Sequence, residues 1–315
     1  MDRAQVPPQP DTDLQAFCEA LVAEAKALPD SGKLANYIPV LAEVNPYQAG
    51  LAVATIDGQL FSAGDARTGF SIQSVSKIFG LVLAMNRLGD SLWKRVNMEP
   101  SGMPFNSIMQ LEWEHGIPRN PVINAGAILV ADVLVSHYSS SKTAFIGFIR
   151  QLAGNEDIFV DDKVFRSEKL HGNRNAAMGY LMKSFGNIEA EVPKVLDQYF
   201  YQCSVNMTCE QLARSLTFLA NKGVQPNTER VICPRRNAHR VNAILSTSGM
   251  YNQSGEFAFT VGLPAKSGVG GGIVAVVPGF GVICAWSPRL NEYGNSYLGM
   301  HMIARLTEHL GLSVY

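Results

Sequence analysis

The chain has 315 residues, of which 47% are hydrophobic, and its 26 basic and 27 acidic side chains give a net charge of −1. This length and composition allow one large folded domain or two medium ones. The charges form no long run of either sign, so neither nucleic acid nor a membrane surface is an expected partner. A small neutral or zwitterionic molecule fits this balance better than a polyanion does.

The cysteines and histidines indicate a reducing compartment and do not favour a metal site. The five cysteines are scattered without a Cys-x-x-Cys pair, a pattern typical of packed thiols. The six histidines form neither a His-Glu-x-x-His motif nor a Cys/His cluster. No apolar run approaches ~20 uncharged residues, and the polar, proline-rich start does not resemble a secretion signal. We therefore expect a soluble, cytoplasmic protein.

The first quarter of the chain predicts a helix, a hairpin and a second helix. Residues 1–12 are expected to be disordered, and helical spacing of apolar residues predicts a first helix starting near Asp13. Two β-type runs meet at Asp57-Gly58, which is a hairpin signal. A second helix is expected from about Ser74 to Leu88, ended by Gly89.

The middle of the chain, about 90–250, is predicted to be mostly helical. Thr208 and Gln211 form a capping box at the start of one helix, and Gly223 is expected to end it. The stretch "NAHRVNAILSTSGMY" predicts another helix. Two strand-like runs, "GIVAVV" and "GVICAWS", then surround a turn at Pro278-Gly279, and the chain closes with an amphipathic helix.

This order of elements predicts an α+β fold. Its simplest arrangement is one antiparallel sheet built from both ends of the chain, flanked by helices, with an inserted helical subdomain beside it. We expect a single catalytic domain over 13–315, with an α/β part at about 13–90 and 250–315 and a helical part at about 91–249. Sites in such folds tend to lie in the cleft between the two parts.

Ser74 and Lys77 form a Ser-x-x-Lys pair at the predicted helix start. One helical turn separates the two side chains, which places them on one face. A lysine that has lost its hydration has a lowered pKa and can remove the proton of a serine hydroxyl. The pair also fits an ordinary helix start with a capping serine and a lysine that reaches the solvent.

A second motif, Lys266-Ser267-Gly268, stands before the late strands. Penicillin-binding proteins and β-lactamases pair Ser-x-x-Lys with a downstream Lys-Thr-Gly in the same chain order. A strand edge beside the serine can supply a backbone N–H to an oxyanion, and glycine lets a substrate approach closely. The other interpretation is a glycine-rich turn that enters a hairpin, but the two motifs together favour catalysis.

Five segments, "QSVSKIFG", "NPVINAGAI", "SEKLHGNRNAAMGYLM", "DQYFYQCS" and "LPAKSGVGGGI", resemble the serine-dependent glutaminases. The resemblance covers about residues 30–290 and implies the fold of the serine β-lactamase-like superfamily. It implies hydrolysis of L-glutamine to L-glutamate and ammonia through a γ-glutamyl-serine intermediate, with no metal or organic cofactor. A homodimer or homotetramer is also expected from the family.

The resemblance also implies roles for individual residues. Ser74 would be the nucleophile and Lys77 its base. Tyr251 is the better candidate to protonate the leaving ammonia, and Lys77 is the alternative. The backbone N–H of Val269 would join that of Ser74 in an oxyanion hole, and Lys266 is a possible supporting residue. The implied substrate ligands are Tyr37, Ser74, Asn124, Glu168, Asn175, Tyr199, Tyr251 and Val269.

The chain departs from the wider superfamily because its middle lacks a Ser-Asp-Asn motif, and we expect Tyr251 to take the place of that element. Glu168 suits the α-ammonium of a free amino acid, because a carboxylate is the natural acceptor for it.

Two alternatives use the same residues differently: a cytoplasmic β-lactamase-like esterase or amidase with the same Ser-Lys pair, and an amino-acid-binding module without catalysis.

Overall fold

The computed structural model describes residues 14–226 and 228–315. The predicted disordered segment 1–12 and the predicted helix start at Asp13 lie outside these residues. Everything below concerns the described ranges.

The middle of the chain is mostly helical, as the sequence predicted, and loops connect its helices. They are α1 Leu14–Ala27, α2 Lys77–Leu88, α3 Ile108–Trp113, α4 Asn124–His137, α5 Ser141–Ala153, α6 Asp162–His171, α7 Asn173–Ser184, α8 Val192–Cys203, α9 Cys209–Ala220, α10 Arg235–Ser248, α11 Ser254–Thr260 and α12 Tyr297–Leu310. Short 3-10 turns lie at Pro39–Glu43, Gln73–Ser76, Gly89–Lys94 and Tyr251–Gln253.

The strands are concentrated near the two ends of the chain. They are β1 Lys33–Leu34, β2 Gly50–Thr55, β3 Leu60–Gly64, β4 Phe70–Ser71, β5 Phe159–Val160, β6 Val205–Met207, β7 Ala265–Ser267, β8 Gly272–Val277, β9 Gly281–Trp286 and β10 Arg289–Leu290. None of the helices in the described ranges is both long and apolar enough to cross a membrane.

The main sheet has five antiparallel strands in the order β3-β2-β9-β8-β7. The predicted hairpins at Asp57-Gly58 and Pro278-Gly279 are the β2–β3 and β8–β9 connections, and β2 pairs directly with β9. One sheet therefore joins the two chain ends, and the predicted α+β class is confirmed.

Both faces of this sheet are covered, which explains why β2, β8 and β9 read as continuous apolar runs rather than alternating ones. Val274 and Trp286 face a core shared with α2, α4, α8 and α9. Ile273 and Ala285, the neighbouring positions, face a second core shared with α1 and α12. A one-residue slip of the register would exchange these two faces, so the two cores fix the register.

The predicted start of the second helix is wrong by one turn. The second helix does not begin at Ser74: residues Gln73–Ser76 form a 3-10 turn and α2 begins at Lys77. Gln73 has a left-handed backbone, with φ of +48°, so the chain enters the helix through a tighter turn than a regular α-helix allows. The predicted end of this helix at Gly89 is confirmed.

The capping box of α9 is confirmed. Thr208 Oγ1 accepts from the Gln211 N–H at 3.2 Å, and Gln211 Oε1 accepts from the Thr208 N–H at 2.9 Å. The helix ends at Ala220, before the predicted stop at Gly223, which instead carries the left-handed turn with φ of +92°. Asn221 is the C-cap residue of the helix. Gly223 therefore does not cap the helix but turns the chain after it.

A small sheet, β4-β6-β5, positions the Gln73–Ser76 turn, which begins the Ser-x-x-Lys motif. Ile72 donates its N–H to Val205 O at 2.9 Å, immediately before the turn. The Gln73–Ser76 turn also packs against β7 of the main sheet. The turn is therefore held between the main sheet and the helical part of the chain.

Candidate active site

A cavity of about 310 Å³ opens beside the Gln73–Ser76 turn. This volume lies at the lower end of the range for small-molecule sites. Eight of the predicted site residues line it: Tyr37, Ser74, Asn124, Glu168, Asn175, Tyr199, Tyr251 and Val269. Lys77 and Lys266 are buried behind the lining.

Lys77 is 2% exposed at the first position of α2, one turn after Ser74. Its Nζ donates to Val122 O at 3.1 Å and to Asn124 Oδ1 at 2.8 Å. Burial lowers the pKa of Lys77 to about 8, against the smaller opposing effects of Cys203 and Glu168. A neutral amine has two protons, so these two acceptors leave its lone pair free for a third direction.

The backbone of Gly268 approaches the Ser74 turn more closely than any side chain would permit. A Cβ added to Gly268 would lie 2.5 Å from Ile72 O and 3.2 Å from Ser74 N. Glycine is therefore required here by the contact itself. The close approach places Val269, the next residue, at the cavity beside Ser74. Backbone segments distant in the sequence therefore meet at the Ser74 turn.

Tyr251 stands on the other side of Ser74, on a 3-10 turn that follows α10. Its backbone is left-handed, with φ of +52°, which is costly for a residue with a side chain and is common at functional sites. Burial raises the pKa of Tyr251 to about 12, and the neighbouring hydroxyls of Ser74 and Ser267 oppose this rise. Neither hydroxyl is in direct hydrogen-bonding geometry with the phenol among the described residues.

We call Ser74, Lys77, Tyr251 and Val269 the serine cluster, and Tyr37, Gln73 and Glu168 the carboxylate cluster. In the latter, the Tyr37 hydroxyl lies 2.7 Å from Glu168 Oε1 and 2.8 Å from Gln73 Oε1. Glu168 is 3% exposed, and burial raises its pKa although the hydrogen bonds of Tyr37 and Gln73 oppose the shift. The cavity therefore contains a buried carboxyl group with hydrogen bonds but no salt bridge to a cationic side chain among the described residues.

Tyr37 is unusual in being half exposed while its hydroxyl is enclosed. The residue as a whole is 47% exposed, but its oxygen is held between Glu168 and Gln73. Burial of this end and the nearby Glu168 carboxylate raise the pKa of Tyr37 well above its usual range. The phenol is therefore a hydrogen-bond donor at neutral pH.

Asn124 joins Lys77 of the serine cluster to Asn175, another residue that lines the cavity. Its Oδ1 accepts from Lys77, and its Nδ2 donates to Asn175 Oδ1 at 3.0 Å. This orientation leaves the amide N–H groups of Asn175 free to meet an anionic group in the cavity. Tyr199 is buried on α8, where burial raises its pKa well above its usual range.

The sequence prediction missed five residues that line the cavity: Gln73, Phe105, Asn106, Gly172 and Cys203. Cys203 lies one turn after Tyr199 on α8 and is inside a segment that carried the family resemblance, so helical spacing could have found it. Phe105 packs on the Tyr251 ring at a centroid distance of 4.7 Å, a long-range contact that no local pattern reports.

Two exposed residues, His171 and Arg174, also line the cavity, although no role was expected for either. Arg174 Nε donates to Asn106 O at 2.8 Å, which ties the start of α7 to the segment before α3. Within residues 14–226 and 228–315, no group of three or more acidic, cysteine or histidine side chains is placed to hold a metal ion.

Residues 32–315 match the family model described as Glutaminase. The chain belongs to the glutaminase family. A glutaminase of Klebsiella pneumoniae subsp. pneumoniae is 50% identical over 301 residues, which are 95% of this chain and 98% of that protein. The range that matches the family model contains the positions of both clusters.

Solved structures of this family have the same architecture. A probable glutaminase called ybaS superposes with a TM-score of 0.92 at 35% identity, covering 98% of this chain and 99% of its own. The structure of Mglu in its glutamate form superposes with a TM-score of 0.90 at 35% identity, covering 96% of this chain and 69% of that one. The resemblance and the fold expected from the sequence are confirmed.

Proposed function

We propose that this glutaminase hydrolyses the side-chain amide of L-glutamine to L-glutamate and ammonia, with Ser74 as the nucleophile. The observation that best supports Ser74 as the nucleophile is the environment of Lys77. It is a buried amine with a pKa of about 8, and both protons of its neutral form are taken by Val122 O and Asn124 Oδ1. Its lone pair is therefore available to the hydroxyl one turn earlier.

The carboxylate cluster suits the α-ammonium group of an amino acid. Glu168 is a buried acceptor whose pKa is raised by burial, and a bound ammonium beside it would stabilise the ionised form. The amide of Asn175 and the hydroxyl of Tyr199 line the same cavity and can donate to the α-carboxylate. One structure of Mglu is described in its glutamate form, and glutamate has the same two charged groups.

The first half of the reaction forms an ester. Lys77 takes the proton of Ser74 while the serine oxygen attacks the side-chain carbonyl carbon of glutamine. The backbone N–H groups of Ser74 and Val269 stabilise the oxyanion. The C–N bond breaks as Tyr251 gives its proton to the nitrogen, ammonia leaves, and the γ-glutamyl group stays on Ser74.

The second half uses the same groups in reverse. A water molecule gives its proton to the group that has just lost one and attacks the ester carbonyl. The C–O bond to Ser74 then breaks, the serine oxygen recovers its proton from Lys77, and glutamate leaves. No protein group outside the two clusters and Asn124 is needed for the proton balance.

Ser74→Ala tests this proposal. We expect ammonia release from L-glutamine to fall by at least ~10⁴-fold, because both halves of the reaction pass through the serine oxygen. In wild-type protein quenched with acid during turnover, mass spectrometry of peptides should find a γ-glutamyl group on Ser74. Ammonia release at a near-wild-type rate in Ser74→Ala would disprove the role of this residue.

Ser76→Ala is the matched control. Ser76 lies on the same 3-10 turn and is 1% exposed, and its hydroxyl has no hydrogen-bond partner in the described ranges. This substitution removes an equivalent oxygen two residues away, so we expect turnover within a few-fold of wild type. A loss as large as that of Ser74→Ala would mean that the turn, rather than the nucleophile, had been damaged.

Three further expectations remain proposals. We propose one catalytic domain over 13–315, since a single core joins strands β2, β8 and β9 to helices of the middle of the chain. A cytoplasmic location is supported by five buried cysteines, all free thiols. Assembly as a homodimer or homotetramer rests on the family resemblance, and sedimentation analysis would test it.

A further inference from the structure

Asn120 is a buried amide that the proposed reaction does not use, in the turn that precedes α4. It is 0% exposed and does not line the cavity. Its Oδ1 accepts from the N–H groups of Val122 and Ile123, each at 3.1 Å. Its Nδ2 donates to Glu99 O at 2.9 Å and to Ser248 Oγ at 3.3 Å. Both donors and both acceptor positions of the amide are therefore used.

The bonds to Oδ1 close the turn that runs from Asn120 to Ile123. An asparagine oxygen that binds the N–H groups two and three residues later forms a local turn and stabilises the start of a helix. The residue at the N-cap position of α4 is Ile123, whose side chain cannot accept a hydrogen bond. Asn120 supplies the missing acceptor, so the shape of this turn depends on one side chain.

The backbone of the turn also packs directly on the first turn of α4. A Cβ added to Gly126 would lie 1.9 Å from Asn120 O and 2.7 Å from Pro121 Cα. No side chain fits between the two segments, so glycine is required at this contact. The turn and the start of α4, including Asn124, are therefore held together as one unit.

Both hydrogen-bond acceptors of Lys77 belong to this unit. Lys77 Nζ donates to Val122 O at 3.1 Å and to Asn124 Oδ1 at 2.8 Å. A neutral amine with both protons bound has its lone pair in the one remaining direction. If the carbonyl of Val122 could move, the amine could rotate about its Cε–Nζ bond, and the lone pair would no longer be directed at Ser74.

The two donor bonds of Asn120 explain why this residue is an amide. Ser248 is the last residue of α10, and Tyr251 follows three residues later. The bond to Ser248 Oγ therefore joins the segment that holds the base to the segment that leads to the acid. An ionised aspartate could close the turn but could not donate to Glu99 O.

We propose that Asn120 is a positioning residue for Lys77: its side chain fixes the carbonyl of Val122, so that the lone pair of the amine is directed at Ser74. This inference rests on the proposed function. Asn120 lies behind the residues that line the cavity and acts on the reaction only through Lys77.

The test is a double-mutant cycle between Asn120→Leu and Lys77→Met. Leucine fills a similar volume without polar atoms, so the turn loses both of its side-chain bonds. We expect Asn120→Leu alone to lower kcat for ammonia release from L-glutamine by about 10–100-fold, within the lower range of general-base effects. In the Lys77→Met background it should cost less than about threefold, because the positioned group is already absent. Losses that multiply in the double variant would overturn the proposal.

Asn120→Asp separates the two halves of the amide. A carboxylate still accepts from the N–H groups of Val122 and Ile123, and the start of α4 favours its negative charge. We expect kcat within about fivefold of wild type. A loss as large as that of Asn120→Leu, in protein with a native circular dichroism spectrum, would overturn the proposal. If Asn120→Leu does not fold, Asn120→Ala replaces it in the cycle, since water can occupy the space and bond to the free N–H groups.

Asn187→Leu is the matched control. Asn187 Nδ2 also donates to two backbone oxygens, Arg95 O at 2.9 Å and Gly116 O at 2.8 Å, and the residue does not line the cavity. We expect kcat within about twofold of wild type. A loss comparable to that of Asn120→Leu would show that removing any such amide lowers activity, and would overturn the proposal.

The proposed function and this inference can fail separately. Wild-type protein that releases no ammonia from L-glutamine would overturn both together. An active wild type in which the losses of Asn120→Leu and Lys77→Met multiply would overturn the inference alone and leave Lys77 as the base.

Discussion

The serine cluster and the carboxylate cluster are adjacent in the chain but opposite in electrostatics. Gln73 and Ser74 are consecutive, yet one faces a buried carboxyl group and the other a buried amine. Lys77 has a lowered pKa because burial disfavours its charge, and Glu168 has a raised pKa for the same reason. Both groups are therefore pushed towards their neutral forms.

The two clusters differ in what can relieve this cost. The amine of Lys77 finds its partners within the protein, in Val122 and Asn124, and keeps a free lone pair. Glu168 has only hydrogen bonds from neutral groups, so a cationic ligand would stabilise its charged form. We infer that the serine cluster is built to react and the carboxylate cluster to recognise, and substitutions should separate the two functions.

Lys77→Met should produce the largest effect on the serine cluster alone. Met fills a similar volume but has no basic group, so we expect kcat to fall by about 10²–10⁴-fold with KM changed little. Steady-state ammonia release at several glutamine concentrations measures both constants. A KM that rises as much as kcat falls would show that Lys77 also holds the substrate, and the separation of the clusters would fail.

Glu168→Gln should produce a smaller effect, confined to binding. The amide keeps the shape but offers only a neutral oxygen to the α-ammonium, and a hydrogen bond to a charged group is worth about 1.5–3 kcal/mol. We therefore expect KM to rise by about 10–100-fold, with a smaller change in kcat.

A substrate that lacks the α-amino group, 4-carbamoylbutanoate, is the control for this prediction. With that compound the wild type and Glu168→Gln should have similar kcat/KM, because the group that Glu168 would recognise is missing. A large difference between the two proteins on the control substrate would remove Glu168 from recognition of the ammonium.

The sheet and the cavity also differ in how far the sequence predicts them. β2, β8 and β9 are predicted from apolar runs and turn residues, because hairpin pairing is local and both faces are simply buried. The capping box at Thr208 is equally local. Patterns of this kind need only neighbouring residues, and the structure confirms them.

The cavity depends instead on contacts between distant segments. Tyr37 meets Glu168 across 131 positions and Lys77 meets Asn124 across 47. No periodicity reports such contacts, so Tyr37, Glu168 and Asn124 were found through the family resemblance, whereas Lys77 was found from the local Ser-x-x-Lys spacing. The left-handed backbones of Gln73 and Tyr251 could not be predicted from the sequence either. Tertiary contacts can hold a backbone conformation that local preferences oppose.

The pH dependence of kcat and KM should also distinguish the two clusters. Lys77 acts as a base only when unprotonated, so kcat should rise with pH and level off above about 8, falling about tenfold per pH unit well below that value. Glu168 binds the ammonium only when ionised, so KM should rise as the pH falls through its raised pKa. Stopped assays of ammonia between pH 5 and pH 10 would measure both constants. In Glu168→Gln the acidic rise in KM should disappear while the change in kcat near pH 8 remains, since a different group controls each one. Loss of both features in that variant would mean that the two clusters titrate as one unit, and the distinction between them would then be wrong.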